Sequence, residues 1–108
     1  MSIREFKWTP SEKKIARASF DLAYNREMEE LKNQIYEKVA KIKENKDIWS
    51  LHDYLTTRRD WVDEKYDYRY SQLIRVFGIL IREGYLSIDD LNGLDEEKIE
   101  AIRMISEL

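Results

Sequence analysis

Apolar residues recur at steps of three and four along most of the chain, the spacing of a helix face. The longest such stripe is Phe20, Tyr24, Met28, Leu31, Ile35, Val39 and Ile42. Before it stands Thr9-Pro10-Ser11-Glu12, which puts a capping hydroxyl, a first-turn proline and a Glu at the third helical position in register. A helix is therefore expected over residues 10–44. The run Asn45-Lys46-Asp47 reads as a turn, with Asp47 as the next N-cap.

A second helix is expected over 48–66. At about 100° per residue, Ile48, Leu51, Leu55, Val62 and Tyr66 share one face, and Trp49, Asp53, Thr56 and Asp60 another. His52 and Arg59 sit on the border between the two. A third helix is expected over 67–84, with Tyr70, Leu73, Ile74, Phe77 and Ile81 inward and Gly84 ending it. Periodicity does not decide whether a bend near Tyr66-Asp67 separates helices two and three. Two short helices follow over 87–108. Ser87 caps the first, Asn92-Gly93 stops it, and Asp95 caps the last, whose apolar positions are Ile99, Ile102 and Ile105.

This order describes one all-α domain over 1–108: a long N-terminal helix, a helical hairpin and short C-terminal helices. Three Gly and one Pro leave too few turn formers for a strand-rich fold. The first helix, about 35 residues at ~1.5 Å each, would be roughly 52 Å long. A compact domain of this size is only roughly 34 Å across. The rest of one chain can hardly cover so long an apolar stripe, and an elongated two-fold homodimer is the simplest arrangement that does.

Composition narrows the chemistry. Cysteine is absent and there is one His, so no thiolate metal site, redox centre or disulfide framework is available. No Gly-rich phosphate loop and no His-Glu-x-x-His run occurs. Neighbouring residues on a helix point about 100° apart, so His52 and Asp53 cannot easily serve one site. The chain is expected to be no enzyme and to hold no cofactor and no metal. A net charge of -3, with cations and acids interspersed, argues against nucleic acid as a partner. The N-terminal residues show no leader pattern, and the most apolar stretch, Leu73 to Ile81, is broken by Arg75. It falls far short of the ~20 residues of a membrane span. A soluble, cytoplasmic protein without membrane insertion is expected.

What stands out is the segment 47–70, DIWSLHDYLTTRRDWVDEKYDYRY. It carries two of the three Trp, four of the seven Tyr, the one His and three Arg. Trp, Tyr and Arg are the residue types that dominate binding at protein interfaces. Tyr54, Trp61 and Tyr66 can be read equally as core or as surface. Trp49, His52, Asp53 and Arg59 lie on the polar side of the helix or at its border, where a Trp has no core to fill. They are the candidate site, for a protein partner or for a second copy of the chain.

The same residues carry a resemblance. Trp49-x-Leu51-His52-Asp53-Tyr54-Leu55, then Arg59, then Lys65-Tyr66-Asp67-x-Arg69, resembles the fluorescence recovery protein family of cyanobacteria. Trp8-Thr9-Pro10, Ala23-Tyr24-x-Arg26-Glu27 and Glu83-Gly84 match it too, so the likeness spans nearly the whole chain. It implies a non-enzymatic, all-helical homodimer that binds the C-terminal domain of the photoactivated orange carotenoid protein. Such a regulator speeds the partner's red-to-orange return and its release from the phycobilisome, which restores fluorescence after non-photochemical quenching. It also implies a place on the cytoplasmic side of thylakoids, reached through that partner. The functional patch it implies falls on Trp49, His52, Asp53 and Arg59, with Asp53 and Arg59 supplying charge-assisted bonds to the second copy or the partner. Arg75 stands where the family pattern has an aromatic. The alternative is a dimeric helical adaptor of the same family with a different protein partner.

Overall fold

Four α-helices and one 3-10 turn account for most of the chain. The computed structural model describes residues 5–108. The elements are α1 (Pro10–Ala40), α2 (Asn45–Lys65), α3 (Leu73–Arg82), a 3-10 turn (Ile88–Leu91) and α4 (Glu96–Ser106). Among the described residues the fold is all-helical, with one isolated bridge between Asn92 and Leu94.

The start of α1 follows the expectation. The Glu12 backbone N–H donates to Thr9 Oγ1 at 3.2 Å, and the Thr9 N–H donates to Glu12 Oε1 at 3.1 Å. The end differs: α1 stops at Ala40, not at 44. Helix α2 then begins at Asn45, three residues before Ile48. Asp47 is not its N-cap but its third residue. Its Oδ2 reaches back and accepts from the backbone N–H groups of Lys43 and Glu44, both at 3.0 Å. That satisfies free donors at the helix start and lets the helix begin earlier.

The third helix is shorter than expected. It begins at Leu73 rather than 67, and residues 66–72 are irregular. The cause lies in Tyr66, Tyr68 and Tyr70. On a helix, residues two apart point about 200° away from each other. In a non-helical chain all three can lean on the same neighbour, and here they lie across the first half of α1. Tyr66 and Tyr68 meet the Phe20 ring edge-on at 5.3 and 4.9 Å, and Tyr70 meets Trp8 at 5.9 Å. Tyr70 is therefore part of the connection, and exposed, not an inward position of a helix.

Leu73 and Phe77 of α3 are buried as expected. Val76 and Leu80 are fully buried beside them and Gly78 is buried, while Ile74 and Ile81 are half-buried. The helix lies against both α1 and α4 and so buries more than one stripe. Gly84, with φ 87°, ends it as expected. Of the two short C-terminal helices, the first is a single 3-10 turn capped by Ser87, and the last is α4, capped by Asp95.

These parts form a head and a stem. The core of the head is Ala16, Phe20 and Ala23 of α1, Leu73, Val76, Phe77 and Leu80 of α3, then Leu86, Leu91, Leu94 and Ile102. Beyond Glu27, α1 has no buried residue. It leaves the head and runs beside α2 in the opposite direction, held by Tyr54 OH donating to Gln34 and Lys38 Nζ over the Tyr54 ring at 4.2 Å. The helical hairpin is therefore α1 with α2, not helices two and three. The molecule measures 53 × 29 × 23 Å, and its length comes from this stem. The expected long stripe is buried only at its Phe20 end. Met28, Leu31, Ile35 and Ile42 are half-buried, and Tyr24 and Val39 are exposed.

Candidate functional site

Helix α2 turns one face to α1 and leaves the other to solvent. Val62 is its one buried residue. Leu51, Tyr54, Leu55, Arg58 and Lys65 are half-buried on the same side. With 3.6 residues per turn, the opposite side carries Trp49, His52, Asp53, Thr56, Arg59, Asp60 and Asp63. Every one of these is exposed.

The four candidate residues all lie on this outer side. Trp49 is 66% exposed, and the His52 ring meets it edge-on at 6.2 Å. His52 Nδ1 is 3.4 Å from Asp53 Oδ1. Arg59 lies about two turns further along, on nearly the same line as His52. Its Nε is 3.6 Å from Asp63 Oδ2. Trp49, His52 and Asp53 are thus brought together, and Arg59 stands apart from them within the chain. Exposed side-chain pairs such as Arg59–Asp63 contribute little to stability, so this row adds little to holding the monomer together.

Beside this polar row runs an apolar one. Ile48 and Val39 are about half exposed, at 49% and 50%, and Tyr36 is 72% exposed. Leu31, Ile35, Leu51 and Leu55 are half-buried between them. The expectation that Ile48 and Val39 pack inward fails because, among the described residues, nothing covers them. Apolar side chains left exposed beside a polar row are a pattern found at protein-binding faces.

Of the residues readable either way, Tyr66 joins the core and Tyr54 the α1–α2 contact, while Trp61 is 64% exposed. Trp61 lies away from the candidate row, at an open cleft of about 500 Å³ whose lining includes Arg58, Glu64, Arg75 and Ile79. Arg75 is half-buried there and its Nε donates to Gln72 Oε1 at 3.1 Å.

Three buried charged groups, Glu12, Glu27 and Lys98, were not foreseen from the sequence, and two of them pair with each other. Lys98 Nζ lies 3.1 and 3.2 Å from the two Glu12 carboxylate oxygens, and over the rings of Phe6 and Trp8 at 5.6 and 5.1 Å. Burial pushes the Glu12 carboxyl up. The Asp95 and Thr9 backbone N–H groups and the Lys98 ammonium outweigh burial and hold the carboxyl at about 2. The spacing Leu94-Lys98-Ile102, one side of a helix, is the signal that could have placed Lys98 inside.

Among the described residues no group of three or more His, Cys, Asp or Glu could hold a metal ion. No helix among them is long and apolar enough to cross a membrane. The outer side of α2 thus leaves an indole, an imidazole, a guanidinium and carboxylates open to solvent.

Residues 8–106 match the family model described as photoprotection regulator fluorescence recovery protein. The chain is 35% identical over 104 residues to the fluorescence recovery protein of Synechocystis sp., covering 96% of this chain and 95% of that protein. Among solved structures, the fluorescence recovery protein of Fremyella diplosiphon is 40% identical and superposes with a TM-score of 0.89. That of Synechocystis sp. is 34% identical, with a TM-score of 0.89. Each comparison covers 94% of this chain and 100% of the other.

Proposed function

Since the chain belongs to the photoprotection regulator fluorescence recovery protein family, we propose that it binds the C-terminal domain of the photoactivated orange carotenoid protein and speeds its return from red to orange. The outcome is release from the phycobilisome and restored fluorescence. The observation that supports this is the exposed row Trp49, His52, Asp53 and Arg59 beside an uncovered apolar strip. A binder of this kind works without catalytic groups. It holds a conformer on the way to the resting state more tightly than the active one, and the population moves accordingly.

The same face suits a second copy of the chain. In an antiparallel two-fold pairing of α2 centred on Thr56, Asp53 of one copy comes opposite Arg59 of the other, and His52 comes opposite Asp60. The row is thus self-complementary in charge, as a two-fold contact requires. The apolar strip of each stem would be covered at the same time. Trp49, His52, Asp53 and Arg59 then order the dimer, and the dimer presents the stem and heads to the partner.

The test uses purified orange carotenoid protein converted to its red form by light. Its dark return is followed by absorbance with and without this chain. Faster return supports the reading. An unchanged return, with a folded dimer seen by light scattering, would refute it and favour a family adaptor for a different protein. Arg59→Leu is expected to weaken dimerisation, acceleration or both. Neither changing would remove Arg59 from the site.

A further inference from the structure

At the root of the stem, where α1 leaves the head, four charged groups close on one another. Glu27 is 3% exposed and is the last buried residue of α1. Its carboxylate accepts from Tyr66 OH at 2.8 Å and Arg58 Nη2 at 3.3 Å, and lies 2.6 Å from Lys65 Nζ. Lys65 also donates to Glu83 Oε1 at 2.6 Å, and its ammonium lies 5.2 Å from the ring centroids of both Tyr66 and Tyr85. Burial, and then Glu27, push the Tyr66 phenol far up, so it remains a donor. Next along α1, Arg26 Nη1 donates to the Tyr85 carbonyl at 2.9 Å and to Asp90 at 2.8 Å.

The cluster spans the middle of α1, the end of α2, the end of α3 and the segment 85–90. Apart from it, α2 offers the head little, since Val62 is its one buried side chain. The helix is flanked by irregular segments at both ends, 41–44 and 66–72. Charge-assisted bonds are directional, and a buried charge deprived of its partner is costly. Such a joint resists bending in a way that one valine cannot.

We propose that Glu27 is a positioning residue that, through Arg58, Lys65 and Tyr66, sets the angle of the stem to the head and so places Trp49, His52, Asp53 and Arg59. The functional consequence rests on the reading that α2 carries the binding face. The joint itself does not. Loosening the joint frees α2 as a local unit while the head stays folded, because the head core is contributed by other elements.

The test is amide hydrogen exchange, resolved by peptide, on the full chain, Glu27→Gln, Lys65→Met and the double variant at one protein concentration. Exchange over 45–62 is expected to quicken by about tenfold or more in each single variant, with 73–82 and 96–106 unchanged. The double variant is expected to be no faster than the quicker single one, since both break the same joint. Uniform quickening in every helix, an unchanged α2, or additive effects would overturn the proposal. In the red-to-orange assay the variants are expected to need more protein for half-maximal acceleration and to reach the same maximum at saturation. A native chain that accelerates nothing would count against the partner assignment and leave the exchange result to judge the joint.

Discussion

Replacing Glu12 with Gln should destabilise the fold at neutral pH and have far less effect in acid. The carboxyl is held at about 2 against an ordinary 4.5. At about 1.4 kcal/mol for each tenfold, that displacement sets a ceiling of about 3 kcal/mol. Because the folded value is the lower one, the contribution is fully present above about 4.5 and is lost as the pH falls from there towards 2. The variant lacks it at every pH. It also leaves Lys98, whose side chain is 2% exposed, without its main counter-charge, as does protonation of the native Glu12. The gap between native and variant should therefore reach at most about 3 kcal/mol at pH 7 and shrink to less than half of its pH 7 size at pH 2.5. Urea unfolding at the two pH values, followed by helical circular dichroism, measures it. An equal gap at both would show that the pair adds nothing to folding beyond the shape of the side chain.

Three further changes test the packing. Gly78→Ala puts a methyl 2.5 Å from Ile105 Cγ2 and 3.1 Å from the Ile102 carbonyl oxygen. Overpacking of about 1–3 kcal/mol should exceed the helix-propensity gain of at most about 1 kcal/mol, so the melting temperature falls. Phe77→Ala, at a fully buried site, should cost about 3–5 kcal/mol in urea unfolding. Thr9→Ala removes one half of the capping box at the start of α1 and should cost about 1 kcal/mol in the same assay.

The helix signals written in local chemistry were legible. Thr9, Ser87, Asp95 and Gly84 act where their types and neighbours place them. What the periodicity of α1 could not reveal is which stripe is covered. The seam that the head buries is Glu12, Ala16, Ser19, Phe20, Ala23 and Glu27, rich in small side chains. Small residues let other segments approach closely, as when Ser19 Oγ donates to the Asp90 carbonyl at 3.0 Å. The large apolar stripe runs beside that seam and continues along the stem, where no other described part of the chain buries it. The tyrosines at 66, 68 and 70 hid the break before α3 because the aromatics that suit a helix face also suit an extended segment laid on a core. The exposure of Trp49, His52, Asp53 and Arg59 on α2 was legible for a simpler reason. A Trp four residues before Asp53 and ten before Arg59, on the polar side of an amphipathic helix, has no folding role to explain it.

The most direct measurement of the account is red-to-orange return in the presence of four proteins: the native chain, Asp53→Arg, Arg59→Asp and the double exchange. Acceleration by the native chain is expected, with a loss in each single variant through like charges facing across the two-fold, and recovery in the double. Equal acceleration by all four, or none by the native chain, would contradict it.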